Sequence, residues 1–217
     1  MGAPLKSLNP EKASIFRITH ISNVPWILDH GLHCKNGTRL DPGFIEIGNP
    51  DLIRRRTDRL IRIPPGGKLS DYLPFYFTPF SPMMLNIHTG YAGITKRRND
   101  DIVIFAASLH KLRADGIPFI FTDRHAYLET AQFYSDPADL DKIDWALLQN
   151  RDFKRDPDDP GKVERYQAEA LVHRHLPLTS LGGIVCGSEV VEADLKREIA
   201  KRGLNLTTAH KPGWYFP

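Results

Sequence analysis

The sequence predicts an α+β domain, and three observations carry that prediction. Strand-like and helix-like segments are interspersed along the chain without the steady alternation of a doubly wound sheet. Neither a Gly-x-Gly-x-x-Gly turn nor a Walker loop is present, so a nucleotide would not be held in a Rossmann or P-loop manner. The length of 217 residues suits one sizeable core rather than two, so residues 1–217 read as a single domain with strands flanking a cleft.

In chain order, residues 14–19 form a first strand. Ser22 or Asn23 then caps a short helix through Trp26, Ile27 and Leu28, which Gly31 ends. A region punctuated by Gly and Pro runs to about residue 70, with one or two helical turns over 50–56. Residues 73–78 form a strand that Pro74 places at an edge or a strand start. Tyr76 and Phe77 alternate faces there, so one lines the cleft while the other packs. Ser81-Pro82 opens a helix that Gly90 stops. The apolar run Ile102-Val103-Ile104-Phe105 marks a buried strand over 101–107. A short helix through Leu109 and Leu112 ends near Gly116, a strand starts at 118–121, and 125–134 is expected to be helical. Residues 135–163 are a long, weakly periodic, Pro-broken connection of the kind that is functional or disordered. Ile184-Val185-Cys186 is a short core strand. Val191, Leu195 and Ile199, four apart, then mark a helix closed by Gly203, its Lys and Arg residues forming a solvated face.

With 41% hydrophobic and 25% charged residues, the composition is that of an ordinary globular protein. No apolar run approaches the roughly 18 residues of a membrane span. The first six residues lack a signal-peptide core, and Lys6 stands where a myristoylated Gly2 would require Ser or Thr. Cys34 and Cys186 lie far apart without a Cys/His cluster, which points to a reducing cytoplasm and to no metal site. A net charge of +3 says little about partners, but its distribution says more. Arg54, Arg55, Arg56, Arg59 and Arg62 form a cluster of the kind that attracts phosphates, whereas Lys96, Arg97 and Arg98 read as a solvated basic face.

Glu169 is the candidate catalytic residue. Read as a strand, its segment puts Gln167 and Glu169 on one face and Ala168, Ala170 and Val172 on the other. A carboxylate on a rigid strand beside an amide can steer a sugar hydroxyl at an electron-deficient carbon. The same spacing also fits a half-solvated edge strand, which is the commoner case.

Several segments, in order, carry a family resemblance. They are Arg17-Ile18-Thr19-His20-Ile21-Ser22-Asn23, the block from Pro65-Gly66-Gly67 to Ser81-Pro82-Met83, and Phe119-Ile120-Phe121-Thr122-Asp123-Arg124-His125-Ala126. Arg165-Tyr166-Gln167-Ala168-Glu169 and Gly213-Trp214-Tyr215-Phe216 complete the set, which spans essentially the whole chain. Of these, the Pro-Gly-Gly to Ser-Pro-Met block is the most specific. The chain resembles the DarT family, the toxins of DarT–DarG toxin–antitoxin systems. That resemblance implies an ADP-ribosyltransferase fold related to the poly(ADP-ribose) polymerases, with two small sheets flanking an NAD cleft and helices around them. It implies transfer of ADP-ribose from NAD, the co-substrate, to a thymidine base in single-stranded DNA, with release of nicotinamide and a block to replication. DarG, a macrodomain antitoxin, is the implied partner. Carried over by motif, Glu169 and Arg56 are catalytic. Arg17, Ile18, Thr19, His20, Trp26 and Cys34 fall on the NAD side with Arg56 and Tyr76. Met83 and His125, again with Tyr76, fall on the DNA side, and 125–169 would be the acceptor-recognising region.

The implied chemistry suits these residue types. Cleaving the nicotinamide bond builds positive charge on the ribose carbon, and a carboxylate bonded to the adjacent hydroxyl strengthens as that charge grows. Arg56 is not a literal general base, because a guanidinium has a pKa above about 12 and no lone pair to offer. It would stabilise a base becoming anionic or grip phosphates, while Glu169 or water takes the proton. His20, a lone His at a strand end, is as readily structural as functional. Another acceptor (guanine in DNA, RNA or protein), a non-enzymatic single-stranded nucleic-acid binder and an NAD hydrolase all stay open on sequence alone.

Overall fold

The computed structural model describes residues 5–217, so the reading of Gly2 lies outside the described residues. Strand β1 (Ser14–His20) runs through a 3-10 turn into helix α1 (Val24–His30). Gly31 ends that helix at φ +77°, where an added Cβ would meet the Leu176 carbonyl oxygen at 2.7 Å. After β2 (Leu32–His33) a long loop reaches α2 (Pro50–Thr57), capped by the Asn49 side chain, which accepts the Leu52 N–H. Next come β3 (Tyr72–Tyr76), α3 (Pro82–Thr89), β4 (Ile102–Ser108), α4 (Leu109–Ala114) and β5 (Phe119–Thr122). The rest of the chain forms β6 (Phe133–Tyr134), α5 (Trp145–Asn150), α6 (Lys162–Arg165), β7 (Glu169–His173) and β8 (His175–Leu176). It ends with β9 (Gly183–Cys186), α7 (Glu189–Lys201) and β10 (Thr208–His210).

Eight strands make one mixed sheet in the order β10-β9-β4-β1-β3-β7-β5-β6, and β2 pairs with β8 in a second, two-stranded sheet. The large sheet is two halves joined at a narrow point. β1 pairs with β4 along its whole length but meets β3 only where Phe16 faces Tyr76. β3 in turn pairs with β7 from Tyr72 opposite His173 to Tyr76 opposite Glu169. β1 and β3 diverge from that single pair, and the gap between them is the cleft. The Arg17 guanidinium bridges the gap by donating to the Pro74 carbonyl at 2.9 Å.

The elements form largely where the sequence places them, because their stop signals are local. Phe77 is buried against Phe121 and Trp145 while Tyr76 faces the cleft, as alternation requires. Val191, Leu195 and Ile199 form the buried stripe of α7.

Three expectations are corrected. Gln167 does not share a strand face with Glu169. It sits in the turn after α6, its Nε2 donating to the Val163 carbonyl, and the strand begins only at Glu169. Nor is β7 a half-solvated edge, since it lies between β3 and β5 with Ala170, Leu171 and Val172 fully buried. Residues 125–134 are not helical. His125 and Asp123 side chains accept the Tyr127 and Gln132 N–H groups, and β6 pairs with β5, so local side-chain bonds and a strand ladder replace helical ones. Residues 135–163 are also more ordered than a bare connection. They hold a 3-10 turn over Pro137–Lys142 and α5, and Arg165 pairs with Asp144 and Asp159 to draw the acidic loop back onto the body.

Candidate active site

Glu169 opens β7 beside the cleft, and its side chain is 1% exposed. Burial raises a carboxyl pKa, yet this one is held below its ordinary value because Arg56 and the surrounding N–H groups outweigh that cost. Arg56 comes from the last turn of α2 and forms a fork, Nη1 to Oε1 at 2.9 Å and Nη2 to Oε2 at 2.6 Å. The Ala126 backbone N–H donates to Oε1 at 2.9 Å. Behind the carboxylate, Thr122 Oγ1 accepts the Glu169 N–H and donates to the Arg124 carbonyl, fixing the strand end to the turn that follows β5. Oε1 thus has both its lone pairs engaged, while Oε2 accepts one bond from the protein and keeps one acceptor position.

His125 Nδ1 lies 3.2 Å from Oε1 and also accepts the Tyr127 N–H. Burial depresses the imidazole pKa; the Glu169 charge pulls the other way but is opposed by Arg56 and Arg59. The ring is therefore neutral at pH 7 rather than half of an ion pair. Arg56 is displaced the opposite way. Burial alone would lower its pKa, but the Glu169 carboxylate raises it overall, so this guanidinium does not give up a proton.

The cleft beside this cluster is an open hollow lined by β1, β3, α2 and the 44–49 loop. Arg17, Ile18 and Thr19 form one wall, Tyr76 and Met83 another, with Arg56 and Glu169 at the base. Two further hollows continue it, one along β3 and one towards α1 lined by Trp26 and Cys34, and all three share Arg17 and Glu46. The linked hollows suit an extended ligand, and Arg17 is the guanidinium that all three share. Arg17 keeps donor capacity for such a ligand, since Nη1 is bound to Pro74 while its buried Nε has no partner.

The structure brings together Glu169, Arg56, Arg17, Ile18, Thr19, Tyr76 and Met83 in one hollow, with His125 against the carboxylate. It leaves His20 outside. That ring is buried at the end of β1, and its Nδ1 accepts the Ser22 N–H. Cys34 is buried too, with its backbone N–H on the Arg174 carbonyl, so it offers the groove packing rather than a free thiol. Sequence reasoning missed Ala126, Thr122 and Glu46. It also read Asn23 only as a possible helix cap. Asn23 does stand at the N-cap of α1, but its fully buried side chain clamps the loop wall, donating to the Thr19 hydroxyl and the Ile45 carbonyl and accepting the Ile45 N–H. Among the described residues no group of three or more His, Cys, Asp or Glu could hold a metal ion, and no helix is long and apolar enough to cross a membrane.

Known proteins resemble this chain along nearly its whole length. Residues 16–216 match the family model described as "ssDNA thymidine ADP-ribosyltransferase, DarT". A curated DNA ADP-ribosyl transferase of Escherichia coli O127:H6 is 51% identical over 210 residues, covering 97% of this chain and 96% of that protein. Among solved structures, Thermus sp. 2.9 DarT in complex with ADP-ribosylated ssDNA superposes with a TM-score of 0.87 at 29% identity, covering 95% of this chain and 98% of the other. The same Thermus protein in complex with NAD+ gives 0.79 at 30% identity, covering 95% and 99%. With an eight-stranded sheet parted over a cleft and a buried, arginine-forked glutamate at its base, this chain belongs to the DarT family of single-stranded DNA thymidine ADP-ribosyltransferases.

Proposed function

We propose that this chain transfers ADP-ribose from NAD to a thymidine base in single-stranded DNA, releasing nicotinamide, and that it acts as the toxin of a pair whose DarG partner reverses the modification. The observation that carries this reading is the Glu169 carboxylate, buried at the base of the cleft and anchored on three sides with one acceptor position free on Oε2. Bound in the groove, NAD would supply an activated ribose carbon.

The protein's own part begins with Glu169. Its free Oε2 lone pair accepts a ribose hydroxyl, an interaction that strengthens as positive charge grows on the neighbouring carbon. Arg56, kept protonated by the carboxylate, has no lone pair to take a proton. Its work is to keep that carboxylate ionised and aimed, while the proton of the attacking base leaves to Glu169 or water. Arg17 to Thr19, with Trp26 and Cys34, supply the groove wall for the nucleotide. Met83 and Tyr76, with neutral His125, face the acceptor. The acceptor base has to be unpaired, because a duplex hides the ring nitrogen that attacks. The reducing cytoplasm, where bacterial DNA lies, is the place of action, in keeping with two free cysteines.

Intact mass spectrometry of short single-stranded oligomers incubated with NAD tests the reading. The expected result is one added ADP-ribose on thymine-containing strands and none on thymine-free strands. Glu169→Ala should slow the reaction about a hundredfold to a thousandfold. Adducts on no DNA while NAD is still consumed would move the acceptor to RNA or protein. Equal adduct formation by Glu169→Ala would remove the glutamate from the chemistry.

A further inference from the structure

The groups around Glu169 come from two separate pieces of chain. Arg56, on α2, and the Ala126 N–H, in the turn after β5, donate to it, and the neutral His125 ring of that same turn packs against it. One further side chain joins them. Arg59, just past the end of α2, donates from Nη1 to the Tyr127 carbonyl and from Nη2 to the Leu128 carbonyl, both at 2.7 Å. Its guanidinium carbon lies 5.7 Å from the centre of the Phe133 ring on β6, so the fork is also held against the strand that follows the turn. The base of the fork is firm as well. The Arg59 N–H bonds the Arg56 carbonyl, and its own carbonyl accepts the Leu69 N–H across a short hairpin. Two arginines three positions apart therefore reach the same site, one to the carboxylate and one to the turn beside it.

Extending the transferase reading above, we infer that Arg59 is a positioning residue that fixes the 125–128 turn against α2, holding the Ala126 N–H and the His125 ring on Glu169. It reaches the reacting atoms only through that turn. With the fork removed, the His125 N–H still bonds the Glu164 carbonyl, so the turn stays attached at its start and loosens at Ala126, Tyr127 and Leu128. The acceptor side is then misplaced while the nucleotide groove, whose lining includes neither Arg59 nor the 125–128 turn, is left intact. Activated ADP-ribose is captured more often by water than by the DNA base.

Two measurements on the full chain test this, with Arg59→Ala and Arg59→Lys beside the parent. The first is amide hydrogen exchange over 125–131 without substrate. Both variants are expected to exchange at least about tenfold faster there, since Lys keeps the charge but lacks the rigid planar fork that holds the two carbonyls side by side. The second is the ratio of nicotinamide released to ADP-ribosyl-DNA formed, which is expected to rise about fivefold or more in both variants. A simple loss of folded enzyme lowers both products together and leaves that ratio unchanged. Parental exchange in Arg59→Ala overturns the inference, as does faster exchange with a parental ratio or full rescue by lysine. A parent chain that forms no adduct overturns the transferase reading instead, and exchange alone then decides whether Arg59 holds the turn.

Discussion

At the scale of single residues, the site depends on a charge pair taken almost wholly out of water. Glu169 is kept ionised by a guanidinium that engages both its oxygens, so Arg56→Lys is expected to slow transfer at least about tenfold despite keeping the charge. Near-parental turnover would show that charge alone suffices. Arg56→Ala strands the carboxylate in a buried site and should cost about 3–5 kcal/mol in a urea titration. The two depressed pKa values have a consequence for stability. Glu169 titrates below 4.5 in the fold, so its contribution is present above that pH and is lost as the pH falls through the depressed value. His125 titrates below its ordinary 6.5, so its contribution is present above pH 6.5 and is lost as the pH falls from there through its folded value. Melting curves at pH 7.5 and 5.5 should show the parent losing stability and His125→Gln losing less. An equal loss in both would mean that the ring is not held neutral. Glu169 and Arg56 were singled out in the sequence through the family resemblance, and the fold brings them into contact at the cleft. Ala126 was not, because a backbone N–H contributes through its position and leaves no side-chain signature.

Local signals served most elements well and failed where contacts come from afar. Ser81-Pro82 and Gly90 bound α3 as read, because a cap, an N-terminal Pro and a left-handed Gly act within one turn. The 125–134 segment was misread because its folding is decided by Asp123, by pairing with β5 and by Arg59, which lies 68 positions before its first carbonyl partner. Asn23 was read only in part for the same reason. It holds the N-cap position of α1, as its signal indicates, but its side chain turns to Ile45, on a loop that returns 22 residues later. Asn23→Ala leaves both backbone groups of Ile45 without that partner, and should lower stability by about 1–3 kcal/mol. It should also weaken NAD binding, because Ile45 sits between the cleft-lining residues Phe44 and Glu46. Calorimetric titration with unchanged NAD affinity would show that the clamp serves only the fold.

Across the whole molecule, the α+β class and the single cleft were legible, but the joining of two half-sheets into one was not. That join is one register pair, and register cannot be read from strand periodicity alone. The chain's end closes the far half. The Tyr215 hydroxyl is buried within reach of the Ile102 and Val185 carbonyls, tying the last residues to β4 and β9. Tyr215→Phe should cost about 1 kcal/mol, or roughly 2–4 °C in melting temperature, with transfer kinetics unchanged. Altered kinetics would mean that the far half reports directly on the site.

The narrow join between the half-sheets also bears on how such an enzyme diversifies. One half contributes the wall at Arg17 to Thr19, and the other contributes the glutamate and the turn that meets the acceptor. Because they share one backbone pair, substitutions can accumulate in the loops of the second half without disturbing the ladder that shapes the first. A library confined to residues 127–163, leaving Arg17, Arg56 and Glu169 in place, is the natural starting point for retargeting the chain to a different base.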